Sequence, residues 1–180
     1  MGRTWEKAST ITGVVILGVV LVGAMGSSAA SMLGANDGRW PTADSLVFAG
    51  LPKDVVNEVL ANPRAQRNVK MWPSAATDQR NALWQGMVIN FVECRNVLAA
   101  YQSWNSSGKV PTLPAVALPA TPVGAVVKDA MLVDGFYRSE IKSGDVARLR
   151  VDLLNESGCG VWIPARPGDA TGPTIADTIK

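Results

Sequence analysis

The sequence offers few side chains for covalent or metal chemistry. Its 180 residues include no histidine and only two cysteines, Cys94 and Cys159. Catalytic triads that depend on imidazole are therefore excluded, and two cysteines without histidine cannot complete a structural zinc site. The sequence also lacks a phosphate-binding loop and a glycine-rich dinucleotide motif. We therefore expect no metal, no cofactor and no cofactor-binding residues.

One nucleophile and base remain at a spacing that chemistry could use. Ser139-Glu-Ile-Lys142 places a serine and a lysine one helical turn apart. The arrangement resembles the Ser-x-x-Lys motif of penicillin-recognising enzymes, which implies a serine nucleophile activated by lysine. A membrane-tethered serine–lysine hydrolase or peptidase is therefore one alternative function. Because both residue types are common, we expect a protein without catalytic residues, and losing Ser139 or Lys142 should then leave its function intact.

Paired carboxylates could also catalyse hydrolysis. The glutamates of the exported part are Glu58, Glu93, Glu140 and Glu156. No spacing selects two of them as a pair, so each is expected to be a solvated helix or turn residue. The net charge of +2 is too small to indicate a nucleic-acid partner.

A long uncharged segment lies near the N-terminus. Residues 8–36 contain no charged side chain, and a helix over residues 8–33 is long enough to cross about 30 Å of hydrocarbon. Arg3 and Lys7 precede it, which predicts that residues 1–7 stay in the cytoplasm and that the rest of the chain is exported. Small residues at positions 26–31 leave a second interpretation open, a cleaved signal peptide and a secreted soluble binding protein.

The exported part begins with a helical region, predicted over residues 34–110. Residues 52–63 indicate a short helix that begins with Pro52 and ends at Pro63. Residues 77–104 indicate a long amphipathic helix, because apolar residues recur every three or four positions. This apolar stripe consists of Leu83, Met87, Phe91, Cys94, Leu98 and Tyr101, widened by Trp84 and Val88.

The last third of the chain favours strands. Four prolines in residues 111–122 predict an extended connector. In residues 123–180, segments 125–127 and 131–133 are short strand candidates, and residues 145–154 alternate with Leu149, Val151 and Leu153 on one face. A turn and a second strand around residues 159–163 would complete a β-hairpin. The predicted fold class is therefore α+β, with one N-terminal transmembrane helix before a small exported domain.

The two cysteines link these elements in the predicted fold. Cys94 lies on the apolar stripe of the long helix, and Cys159 lies on the apolar side of the last predicted strand. An exported domain encounters an oxidising compartment, so we expect a Cys94–Cys159 disulfide. Closing a loop of this size would contribute about 4 kcal/mol in the chain-entropy account. Two free thiols, or a bond to another chain, are the alternatives.

Tryptophan provides the candidates for partner binding, since it is enriched at binding hot spots. Of six tryptophans, four lie at element ends or on predicted outward positions: Trp40, Trp72, Trp104 and Trp162. We therefore expect a non-catalytic, single-pass membrane subunit or scaffold of a cell-envelope complex, of secretion, conjugation, respiratory or phage-derived type. Its main domain would be periplasmic or extracellular. Its partners would be the lipid bilayer, through residues 8–33, and other envelope or membrane proteins.

Overall fold

The computed structural model describes residues 41–70, 77–154, 163–166, 168–169 and 171–179. Within these residues, a 3-10 helix, Leu46–Phe48, comes first, and six α-helices follow. These are α1 (Lys53–Ala61), α2 (Pro63–Lys70), α3 (Thr77–Ser107), α4 (Gly124–Ser143), α5 (Val146–Leu154) and α6 (Ile175–Thr178). Helix α3 is central, because α1, α2, α4, α5 and the 3-10 helix all pack against it.

The predicted α+β fold is wrong. Of the described residues, 68% are helical and none belongs to a strand. Residues 125–127 and 131–133 lie within α4, and residues 146–154 form α5 instead of the first hairpin strand. Most of the second predicted strand lies outside the described residues. The described tail has one isolated antiparallel bridge, between Pro164 and Thr174.

The local sequence explains why the tail forms two helices. The buried apolar residues of α4 recur every three or four positions: Val126, Ala130, Val133, Tyr137 and Ile141. Gly144 then adopts a left-handed conformation with φ +78°, which ends α4 at little steric cost. Asp145 caps the N-terminus of α5, because its Oδ1 accepts a hydrogen bond of 2.9 Å from the amide of Arg148.

The predicted membrane helix, residues 8–33, lies outside the described residues. Within the described part of the chain, no helix combines the length and the apolar character needed to cross a bilayer. The predicted cytoplasmic segment, residues 1–7, is likewise outside the described residues.

The two helices predicted from apolar periodicity are confirmed, with one difference at Pro63. Helix α1 lies within the predicted segment 52–63, and α3 contains the predicted segment 77–104. Pro63 does not simply end a helix; it is the first residue of α2, a position that tolerates its missing amide hydrogen. Asn62 separates α1 from α2, and its Oδ1 accepts hydrogen bonds from the amides of Arg64 and Ala65 at 2.9 and 3.2 Å.

A buried glutamine fastens the proline-rich connector to the helices. Gln85 of α3 donates from Nε2 to the carbonyls of Val47 and Thr121, at 2.8 and 3.0 Å. Its Oε1 accepts from the amide of Val123 at 3.0 Å. The connector, residues 111–122, forms no helix or strand, and it packs against the domain, with Leu113 buried. These hydrogen bonds place the N-terminal end of α4 against α3.

A buried ion pair joins α1 to α3. Arg95 binds the carboxylate of Glu58, whose side chain is fully buried. The amide of Gly168 donates to the second Glu58 oxygen at 2.9 Å, and the guanidinium of Arg95 lies 5.9 Å from the centre of the Phe91 ring. The expectation that Glu58 is solvated is wrong, because α1 and α3 enclose it.

Candidate functional site

The predicted partner-binding tryptophans do not form a described surface. Trp104 is only 6% exposed and packs in the core from the last turns of α3. Trp40, Trp72 and Trp162 lie outside the described residues. The indole of Trp104 therefore stabilises the fold and is not available to a partner.

Cys94 is fully buried on α3, on the predicted apolar stripe, and it is disulfide-bonded. Cys159, its predicted partner, lies outside the described residues. The pairing of the two therefore stays a prediction. A bond at position 94 would tie the C-terminal part of the chain to the central helix.

Ser139 and Lys142 lie in the last turns of α4, and both side chains are exposed. A lysine that acts as a base needs surroundings that disfavour its charge, usually through burial. The geometry therefore gives no support to a serine–lysine dyad. In the described part of the chain, no three acidic or thiol groups converge as ligands for a metal ion.

Helix α4 exposes large apolar side chains to solvent on its outer side. Met131 and Leu132 are 62% and 61% exposed, although both are large apolar residues. The exposed positions on this side of α4 are Lys128, Met131, Leu132, Gly135, Ser139 and Lys142. We call these six residues the outer face of α4. Exposed apolar residues grouped on one face are typical of a surface that another molecule covers.

Both charged residues of the outer face are basic. Lys128 and Lys142 border Met131 and Leu132 along the helix. Near Gly135, no other side chain comes within 4 Å of the place that a Cβ would occupy. This open, basic and apolar surface suits a partner with apolar and acidic side chains.

The opposite side of α4 holds a carboxyl pair against α3. Glu93 of α3 is 1% exposed, and neither of its side-chain oxygens has a hydrogen-bond partner among the described residues. Asp134 of α4 faces it and is bound to Arg138 by a 2.8 Å contact between Oδ2 and Nε. Burial, reinforced by Asp134 and opposed by Arg138, raises the pKa of Glu93 to about 7. The Glu93 carboxyl therefore keeps its proton below neutral pH.

A second carboxyl pair lies between α4 and α5. Glu140 of α4 is buried and forms an ion pair with Arg148, with Nε 2.9 Å from Oε2. Burial raises the pKa of Glu140; Arg148 opposes this shift, and Asp152 reinforces it. Burial also raises the pKa of Asp152. Helix α4 thus meets an acidic side chain on both of the helices that flank it.

Sequence reasoning missed both the outer face and the carboxyl pairs. Residues 131–133 were expected to form a strand, and Glu93 and Glu140 were expected to be solvated. The apolar spacing of 4, 3, 4 and 4 from Val126 to Ile141 was the signal for a helix. In a helix with this spacing, Met131 and Leu132 lie outside the buried stripe.

Comparisons with protein-family models, with curated proteins and with solved structures give no match for this chain.

Proposed function

We propose that the protein is a non-catalytic subunit or scaffold of a cell-envelope assembly and that it binds a partner protein through the outer face of α4. The exposure of Met131 and Leu132 carries this proposal. Their helix is already anchored by a buried stripe on its other side. Two large apolar side chains left in water at the surface of one helix favour a covering partner.

The proposal commits to a protein partner with an apolar surface bordered by acidic side chains. Lys128 and Lys142 supply the complementary charge. Only two large apolar residues lie on the outer face, with Gly135 and Ser139 beside them. Small residues at these positions allow a protein surface to approach the helix closely, whereas insertion into lipid favours a broad, strongly apolar face.

The location of the assembly is also part of the proposal. Residues 8–33 would hold the chain in the membrane, with the described helices on the periplasmic or extracellular side. The uncharged segment and the preceding Arg3 and Lys7 support this orientation. A Cys94–Cys159 disulfide suits such a compartment.

We expect the double substitution Met131→Glu and Leu132→Glu to abolish partner binding without unfolding the protein. Both side chains are exposed, so the core should tolerate the change, whereas two negative charges would oppose an acidic partner. The full chain, purified in mild detergent from its native membrane, would be compared with the variant by quantitative mass spectrometry of co-purified proteins. A proposed partner should fall at least about tenfold, corresponding to about 1.4 kcal/mol.

Val110→Glu provides the matched control, because Val110 is equally exposed but lies before the proline-rich connector. It should leave the same partner bound. If both variants retain every co-purified protein, or if both lose it equally, the outer face of α4 is not the binding surface. Binding of the wild-type chain to anionic vesicles, lost only in the double variant, would instead assign this face to the membrane.

A further inference from the structure

Glu93 occupies a position at which an ionised carboxylate is poorly compensated. The side chain is 1% exposed, and both of its oxygens lack a hydrogen-bond partner among the described residues. Oδ1 of Asp134, on the facing helix, is also buried and unpaired within the described part. Burying an unpaired charge carries a large desolvation cost. A neutral Glu93 avoids this cost at the α3–α4 interface.

Arg138 is the cation that faces this pair, and other groups share it. Its Nε binds Asp134 at 2.8 Å, Nη1 donates to the carbonyl of Leu113 at 3.1 Å, and Nη2 donates to the carbonyl of Pro114. One guanidinium therefore serves a carboxylate and two backbone carbonyls. It lowers the cost of ionising Glu93 but does not bind that side chain directly.

The other helices around α3 supply no further neutralising charge to Glu93 from their described residues. On α1, Glu58 is engaged with Arg95. On α5, Arg148 and Asp152 face Glu140. The basic side chains of α2 are exposed at the surface: Arg64, Arg67 and Lys70. Ionisation of Glu93 would therefore place a second negative charge beside Asp134, with Arg138 as the facing cation.

We propose that Glu93 is a proton-operated latch: its neutral carboxyl lets α4 pack tightly on α3, and its ionisation loosens α4 and weakens partner binding. The effect on binding rests on the proposed function of the outer face, whereas the effect on α4 itself does not. The second acidic pair, Glu140 and Asp152, makes the packing of α4 against α5 sensitive to charge as well.

The direction of the pH dependence follows from the raised pKa. Glu93 titrates at about 7 in the folded protein instead of its ordinary 4.5, so the folded state binds more protons between these values. Its stabilising contribution is fully present below pH 4.5 and is lost as the pH rises through about 7. We expect the folding equilibrium constant to fall about 70-fold between pH 5 and pH 8 from this group.

Amide hydrogen exchange of the full chain in detergent tests the latch without a partner. After correction for the intrinsic rate at each pH, protection of α4 should fall between pH 5.5 and pH 8 more than protection of α1. Glu93→Gln, which cannot ionise, should reduce this difference. Asp54→Asn is the matched control, because Asp54 is an exposed carboxyl of α1, and it should keep the wild-type behaviour.

Equal pH dependence of α4 in the wild type and in Glu93→Gln would overturn the latch. If Glu93→Gln misfolds, carboxyl-carbon NMR of the wild-type protein still decides, since a Glu93 titration near the ordinary 4.5 would also overturn it. Partner binding should weaken at pH 8 in the wild type and persist in Glu93→Gln. If the α4 double variant loses its partner but hydrogen exchange of α4 does not depend on pH, only the latch is contradicted. If exchange of α4 depends on pH as expected but the double variant keeps its partner, only the binding surface is contradicted.

Discussion

Replacing Arg95 with methionine is expected to destabilise the domain by about 3–5 kcal/mol, since it leaves the buried carboxylate of Glu58 without its cation. Methionine keeps much of the apolar volume of the arginine stem, so the change reports chiefly on charge. The free energy of unfolding would be measured by urea denaturation at pH 7. A loss of this size would exceed the effect expected at most surface positions.

Two further variants separate the buried charge from a general effect of removing a cation. Lys53→Met removes the cation of the Lys53–Asp44 pair, whose side chains are both exposed, and it should give no measurable change. Glu58→Gln combined with Arg95→Met should recover part of the loss, because the unpaired charge is gone. Equal destabilisation by Arg95→Met and Lys53→Met would contradict the account of a buried ion pair.

Leu149→Ala is expected to destabilise the domain by about 2–5 kcal/mol, because Leu149 is fully buried on α5. Val151→Ala should change stability by less than about 0.5 kcal/mol, because Val151 is 61% exposed on the same helix. Urea denaturation of the two variants measures both effects. In the strand predicted from the sequence, both side chains share one buried face and both substitutions would be costly. Similar losses at the two positions would therefore contradict helix α5.

The spacing of apolar residues in α5 also explains why the sequence indicated the wrong fold class. Leu149 and Leu153 are four residues apart, a spacing that fits one face of a strand and one face of a helix equally well. Val151 distinguishes the two structures, because it would be buried in the strand and is exposed in the helix. Its burial cannot be read from the local sequence. Gly144 and Asp145 form the connection between two helices, α4 and α5, where the sequence predicted strands.

The central helix was predictable, but its surroundings were not. Met87, Phe91 and Cys94 are buried as the apolar periodicity predicted. Asn81, Gln85 and Glu93 lie outside the predicted apolar stripe and are buried as well. A single amphipathic face explains a helix covered on one side, whereas α3 is covered by helices on several sides. The burial of its polar residues therefore depends on contacts between distant segments.

The binding surface and the latch could not be predicted for the same reason. The exposure of Met131 and Leu132 follows from how α4 docks, and the high pKa of Glu93 follows from its burial opposite Asp134. Both depend on packing between α3 and α4. A sequence pattern gives the composition of each helix, but it does not give which sides meet.

The proposed assembly depends most on the side of the membrane where the helical domain lies. Alkaline phosphatase fused to the C-terminus tests this directly, because the enzyme becomes active only where its disulfides form. Intact cells that produce the full-length fusion should show phosphatase activity in the membrane fraction, and a fusion that lacks residues 1–40 should show none. An inactive full-length fusion recovered from the cytosol would contradict the exported, membrane-held subunit.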